Sequence, residues 1–369
     1  MDRTLYWLWL AEALGSACRY TGELLAEWPD PRDLDRAVRA GQPLPACVSP
    51  KAAEKLRAVR PEHLRGLLDY CNGCGIAVLT PQDPQYPDRL RDLPDLPPVL
   101  YVTGDPACLN GRRYVGMVGT RRPTRYGANA CHDLSLALAQ QGVVIVSGLA
   151  DGLDGVGHRA AVEAGAPTVA FLGTAINRTY PAANKPLRAE LERLGGAVVS
   201  EYPPDYTGKA TGTFLARNRL IAGLSEAVCV AEARASSGTM NTVEHAERYG
   251  RPVFAVPGSI FSPASAGTNA LLRDGRAKAV CTAADLFGTL GLQAARPAPT
   301  PRETPRPLSE NERLVLSCLG AKAQGVEELG VKSGLPTAAL LGVLMKLELA
   351  GRVSCLPGKR YILRGGSAS

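Results

Sequence analysis

Residues 114–127 read YVGMVGTRRPTRYG, and residues 143–161 read VVIVSGLADGLDGVGHRAA. Each stretch puts a short apolar run directly before glycines, and the glycines directly before a helical pattern. In α/β sheets that order builds nucleotide and phosphate sites, because ligands settle where strands end and helices begin. The first turn carries Arg121, Arg122 and Arg125 where a dinucleotide fingerprint has small residues. Three guanidinium groups at a strand end suit a backbone bearing several phosphates better than one pyrophosphate.

Working outward, strands and helices alternate from residue 114 to about 291. The apolar runs are YVGMVG, VVIVSG, PTVAFLG, AVVSEY, EAVCVAEA, PVFAVPG and AKAVC, with amphipathic stretches such as 127–141 and 241–249 between most of them. Near-continuous apolar strands alternating with helices predict an α/β fold, a parallel sheet covered on both faces. Ahead of it, residues 1–80 read as short helices punctuated by Gly15, Pro29, Gly41 and Gly75, a small all-helical module. Between the two, a proline-rich segment leads into an expected edge strand at 99–102.

Residues 293–310, QAARPAPTPRETPRPLSE, hold five prolines and no apolar periodicity, the composition of an extended, partly stiff linker. Beyond it, ENERLVLSCLG, GVEELGVKSG and TAALLGVLMKLELAG read as three helices, and RVSCLPGKRYIL as a hairpin turning at Pro357-Gly358. Three helices and a hairpin are the pattern of a winged helix-turn-helix. The expected domains are therefore 1–80, 81–292 and 309–369, with 293–308 as linker.

With 369 residues, the chain is long enough for two or three domains. A hydrophobic fraction of 45% and a charged fraction of 21% describe ordinary globular material. Lys and Arg total 42 against 35 Asp and Glu, a net +7, which is compatible with nucleic acid without establishing it. From residue 301 onward ten basic residues face six acidic ones, so much of the excess lies in the C-terminal segment. No apolar run approaches the roughly 20 residues that cross a bilayer, and Glu12 within the first apolar stretch favours a packed helix over a signal peptide. The ten cysteines are scattered singly apart from Cys71 and Cys74, which points to reduced thiols in a cytoplasmic setting.

An ordered series of motifs carries a family resemblance: YPDRL and PPVLYVTG (86–104), VGTRRPTRYG (118–127), SGLADGLDGVGH (147–158), YPAANKPL (180–187) and SEYP (200–203). RNRLIAGLS (217–225), SSGTMNT (236–242), the Pro257-Gly258 pair and SAGTNALLRDG (265–275) continue it. The chain closely resembles the DprA/Smf family of DNA-processing proteins of natural transformation. The resemblance implies an extended Rossmann-like core, a small SAM-like helical domain before it and a winged helix after it. It implies single-stranded DNA binding, a homodimer, and loading of the RecA recombinase. Leu215 follows Phe214 where the family often has proline, and Leu153 stands where isoleucine is usual; neither change removes a charge.

The candidate DNA-binding residues are Thr120, Arg121 and Arg122 on the first turn, Ser147 and Gly148 on the second, Asn184 and Lys185 in the loop after the third strand, and Arg217, Asn218 and Arg219 in RNRLIAGLS. At least one of the last two arginines is expected to reach the crevice, the other to pair with Glu201 or Glu232. Asp154 and His158, four apart on one helix, are expected to share a hydrogen bond. The rival reading is a nucleotide-processing enzyme of the phosphoribohydrolase type, whose signature resembles a Gly-Thr with a glutamate three residues after the threonine. Here Thr242 stands at the carboxylate position, and a threonine cannot serve as that acid or base. No G-x-x-x-x-G-K-[ST] occurs, so a P-loop motor is excluded. Neither cofactor nor metal is called for.

Overall fold

The structure, a computed structural model, describes residues 2–18, 20–208, 210–292, 308–320, 323–350, 352–356 and 358–363. It divides into two compact units, 1–294 and 295–369.

The first unit opens with helices α1 (Arg3–Leu14), α2 (Thr21–Glu27), α3 (Pro31–Arg39), α4 (Pro50–Ala58) and α5 (Arg65–Gly73). Their starts are chemically marked. The Asp2 carboxylate accepts from Thr4 N–H, Asp30 from Arg32 N–H ahead of Pro31, and Ser49 from Ala52 N–H ahead of Pro50. The apolar residues Leu5, Leu8, Trp9 and Leu10 then pack with Tyr101, Ala170, Leu172 and Val198 of the sheet, so the helices and the sheet share one core.

The strands are β1 (Ala77–Leu79), β2 (Leu100–Gly104), β3 (Arg113–Gly119), β4 (Val143–Ser147), β5 (Thr168–Leu172), β6 (Ala197–Ser200), β7 (Ala227–Glu232), β8 (Val253–Ala255) and β9 (Lys278–Ala279). They form one sheet in the order β1-β2-β6-β5-β4-β3-β7-β8-β9. Strands β3 to β9 run parallel, while β1 and β2 pair antiparallel at one side. Two expectations change. The strand at 99–102 is not an edge: β2 is paired on both sides, and β1 holds the edge. The boundary at residue 80 also falls just beyond a strand of the sheet itself, because β1, three residues long, carries too little periodicity to separate it from the preceding helix.

Alternation along the strands sends side chains to opposite faces. Val144 and Val146 join the cluster containing Leu220, Ile221 and Leu224, whereas Val143 and Ile145 face Leu134, Leu138 and Leu153. The helices that follow are α6 (Asp88–Arg91), α7 (Arg125–Gln140), α8 (Leu153–Glu163), α9 (Lys185–Arg193), α10 (Ala210–Leu224), α11 (Thr239–Arg248), α12 (Ala266–Arg273) and α13 (Ala284–Phe287). The chain runs outward from β3 to β6 and returns to place β7 against the other side of β3. The order of connection therefore reverses between β3 and β7, where a doubly wound sheet opens its crevice.

In the second unit, α14 (Glu310–Cys318), α15 (Val326–Ser333) and α16 (Thr337–Leu349) surround Val315, Leu329, Leu340 and Leu344. Ser309 and Glu312 close a reciprocal capping box at α14, and Gly334, left-handed at φ 67°, ends α15. Strands β10 (Gln324–Gly325), β11 (Val353–Leu356) and β12 (Arg360–Leu363) make a small antiparallel sheet in the order β10-β12-β11. This is the expected winged helix. The proline-rich linker at 293–307 and Pro357 of the expected turn lie outside the described residues.

Candidate nucleic-acid interface

A crevice of about 600 Å³ lies at the reversal point, walled by the turn after β3, the turn after β7 and one side of α10. Thr120, Arg121 and Arg122 enter it from the first turn, Arg234 and residues 236–239 from the second, and Phe214, Leu215, Arg217 and Asn218 from α10.

Three of the expected contact residues stand open to solvent. Arg121 and Arg122 are exposed, as is Lys185 at the first position of α9. The Arg121 guanidinium lies 5.4 Å from the centre of the Phe214 ring, a cation–π distance. Phe214 in turn meets Tyr180, ring centres 5.7 Å apart and tilted by 46°. Arg121, Phe214 and Tyr180 thus form a series of flat groups beside the crevice. Lys185 is not part of the crevice wall.

The second turn is built differently from expectation. Ser147 is buried and its hydroxyl donates to Met117 O at 2.6 Å, tying β4 to β3. The N–H groups of Gly148 and Ala150 stand by the Asp154 carboxylate, itself part of the crevice wall. Gly148 is glycine because a Cβ there would strike the Arg217 guanidinium. Leu149 adopts a left-handed φ of 54°, unusual for a branched residue. Asn184 holds that conformation, its Nδ2 donating to Leu149 O at 3.0 Å and Ala150 O at 3.3 Å. Asn184 therefore spends its amide nitrogen on the turn beside the crevice.

The two arginines of RNRLIAGLS separate. They lie well inside α10, which begins before the motif. Arg217 is 3% exposed, and its Nη1 donates to Gly148 O at 2.7 Å and to Phe171 O. Burial pushes its pKa down to about 10, with Asp154 opposing the shift, so it stays charged at neutral pH. It reaches the crevice as a wall and as the tie between α10 and the ends of β4 and β5. Arg219 does not reach it: at 1% exposure it pairs with Glu201 and lies 3.9 Å from Asp95, which accepts from the Tyr249 hydroxyl at 2.7 Å. Residues two apart on a helix point about 200° away from each other and cannot share one face, so Arg219 turns to Glu201 and Asp95 instead. Asn218, between them, lines the crevice and its Nδ2 donates to Asn241 Oδ1 at 3.3 Å.

His158 pairs with Thr168, not with Asp154. The Thr168 hydroxyl donates its hydrogen to Ile145 O at 2.5 Å, so His158 Nδ1–H donates to Thr168 Oγ1, at 2.8 Å. Burial, then Arg217 and Arg159, pushes its pKa down to about 3. It is a neutral packing histidine. Asp154 lines the crevice, and burial pushes its pKa up, with the nearby Arg217 charge opposing the shift.

The wall also contains residues that the motif-by-motif reading passes over. Arg234 follows β7 as Arg121 follows β3, and the strand-end rule applied to the first turn would have found it. Thr242 is buried in the crevice wall, and Glu244 is exposed elsewhere on α11. The ten cysteines form no disulfide, and no group of three or more His, Cys, Asp or Glu among the described residues could hold a metal. No described helix is long and apolar enough to cross a membrane.

Comparison with known proteins matches residues 77–291 to the family of DNA recombination-mediator protein A, and residues 297–359 to the DprA winged helix domain. The chain is 39% identical over 311 residues to a putative DNA processing protein DprA of Mycobacterium tuberculosis, covering 79% of this chain and 78% of that one. It is 35% identical to protein Smf of Escherichia coli, covering 78% and 77%. Among solved structures it is similar to DprA of Streptococcus pneumoniae, with TM-score 0.66, 31% identity, and 79% of this chain and 100% of that chain covered. The structure of DprA from Helicobacter pylori, described for its single-stranded DNA binding mode, gives TM-score 0.53 at 33% identity, covering 58% and 95%. The crevice stands within the matched core, the winged helix has its own match, and on these grounds the chain belongs to the DprA/Smf family of DNA recombination-mediator proteins.

Proposed function

We propose that this protein binds single-stranded DNA in the crevice between the β3 and β7 turns and acts as a recombination mediator without catalysis of its own. One observation carries the reading: Arg121, Arg122 and Arg234 surround a crevice in whose wall Thr242 stands where the rival signature would carry a glutamate. Guanidinium groups on strand-end turns address phosphates, and the Phe214–Tyr180 pair offers bases a surface to stack on. The binding is weakly sequence-selective and strongly salt-dependent, since phosphate contact releases counterions and carries no base information. Arg217 and Asn184 support the site from beneath, and Lys185 serves a phosphate outside the crevice.

The wider role is a cytoplasmic homodimer that covers incoming strands during natural transformation and hands them to a RecA-type recombinase. Two linked crevices on one strand gain affinity through effective concentration. The single-stranded DNA binding described for the Helicobacter pylori relative supports the first part of this reading. The phosphoribohydrolase alternative is disfavoured by Thr242, and neither nucleotide hydrolysis nor a cofactor is expected. The winged helix presents Leu341 and Met345 outward, with Lys346 the basic residue of α16, which suits a protein or an auxiliary backbone contact better than groove readout.

The test is RecA-driven strand exchange on DNA already covered by single-strand-binding protein. Adding this protein relieves the block under the proposed role. Filaments that form no faster with it than without it contradict the mediator role, while DNA binding is judged separately.

A further inference from the structure

We propose that Glu232 is the residue that sets the geometry of the arginine turn, a positioning residue that holds Arg121 and Arg122 in place without touching DNA itself. The proposal rests on the single-strand-binding reading above. Glu232 ends β7 and is 1% exposed. It grips the turn at both ends. Its main-chain oxygen accepts from Thr120 N–H at 2.8 Å. Its carboxylate accepts twice from Thr124, Oε2 from the N–H at 2.8 Å and Oε1 from the hydroxyl at 2.6 Å. Arg121 and Arg122 sit between these two fixed points.

The surroundings are cut to admit the carboxylate. A Cβ on Gly127 would lie 2.7 Å from it, and one on Gly119 would lie 2.8 Å from Glu232 O. The β3–β7 register shifts between Val118 and Gly119, bringing Gly119 opposite Glu232 where the turn begins. The Thr124 hydroxyl, while donating to Glu232, accepts from Gly127 N–H at 3.1 Å and so caps α7. One buried side chain thus links the end of β7, the arginine turn and the start of α7.

A buried carboxylate beside a phosphate site would oppose ligand binding if its only effect were its charge. Here both oxygens are consumed by Thr124, and the charge lies at a helix N-terminus, where the peptide dipoles favour it. What remains is preorganisation: two long arginines mounted on a turn with fixed ends lose less freedom when DNA arrives.

The experiment measures single-stranded DNA affinity of the full chain across a salt series for wild type, Glu232→Gln, Thr124→Val and Thr124→Ser, with amide hydrogen exchange at residues 120–126. Glutamine keeps the size but replaces one acceptor by a donor. The expected result for Glu232→Gln and Thr124→Val is an affinity loss of about tenfold or more. The slope of log K against log salt should become shallower by about one for each phosphate no longer engaged. Exchange at the turn quickens in both, and Thr124→Ser behaves as wild type. A residue that merely stabilised the fold would lower the melting temperature and leave the slope of the folded protein unchanged. Wild-type affinity, slope and turn exchange in folded Glu232→Gln overturn the proposal; if that variant does not fold, the Thr124→Val and Thr124→Ser pair decides it. Absence of binding by the wild-type chain defeats the proposed function, and turn exchange then still judges the positioning role.

Discussion

Replacing Arg121 by alanine is expected to weaken single-stranded DNA binding by about 10- to 100-fold, since a hydrogen bond to a charged group is worth roughly 1.5–3 kcal/mol. The loss should come with a shallower salt dependence, because a phosphate partner and its counterions drop out of the equilibrium. Arg121→Lys keeps the charge and should recover only part of the affinity. The guanidinium carbon lies 5.4 Å from the Phe214 ring centre, and a lysine ammonium supplies neither a flat cation nor a paired donor set. Arg125, exposed on α7 and outside the crevice wall, is the control: Arg125→Ala should change affinity by less than about twofold, as expected of a solvated charge. Fluorescence anisotropy with a labelled oligonucleotide at two salt concentrations distinguishes these outcomes.

Arg219 should give the opposite profile. Arg219→Ala leaves Glu201 and Asp95 buried without their cation, and breaking a buried ion pair on one side costs about 3–5 kcal/mol. Denaturant unfolding should show that loss as a lower midpoint, while single-strand affinity under folded conditions stays near wild type. Glu201→Ala should destabilise less, because Arg219, buried at 1% exposure, still has Asp95 at 3.9 Å. The double variant Arg219→Met/Glu201→Leu should cost less than the sum of the two alanine variants, because Glu201 is no longer stranded and Asp95 keeps the Tyr249 hydroxyl. A normal midpoint with lost DNA binding would return Arg219 to the crevice and contradict the geometry.

The contrast between these neighbours shows what could be read from sequence. Periodicity and glycine placement foretold the parallel sheet, because strands buried on both faces must be apolar throughout and their turns need glycine. Arg121 and Arg122 were legible for the same reason, being attached to a strand end whose location follows from the fold. Arg217 and Arg219 were not separable, because which face of α10 meets the crevice depends on how the helix docks, and RNR carries no apolar asymmetry to show it. Ser147, Gly148 and Asn184 were expected to contact DNA, yet none of them lines the crevice: the Ser147 hydroxyl goes to Met117 O, Gly148 O accepts from Arg217, and Asn184 donates to the 149–150 carbonyls, partners that spacing alone does not identify. The three-residue strand β1 was too short to register, which made β2 look like an edge. Arg234 was open to the same strand-end argument as Arg121, whereas the contacts of Glu232 with Thr120 and Thr124 appear only when β7 is seen to return beside β3.

The central claim, that single-stranded DNA lies in the crevice between the β3 and β7 turns, is tested most directly by photo-crosslinking. A single strand carrying 4-thiothymine is bound to the 369-residue chain, irradiated, and the crosslinked peptides are identified by mass spectrometry. Crosslinks should concentrate on residues 118–122, 214–218 and 234–239, with Phe214 prominent, and should fade as salt rises. Crosslinks confined to residues 308–363, or to the helices before β1, would place the strand elsewhere and contradict the account.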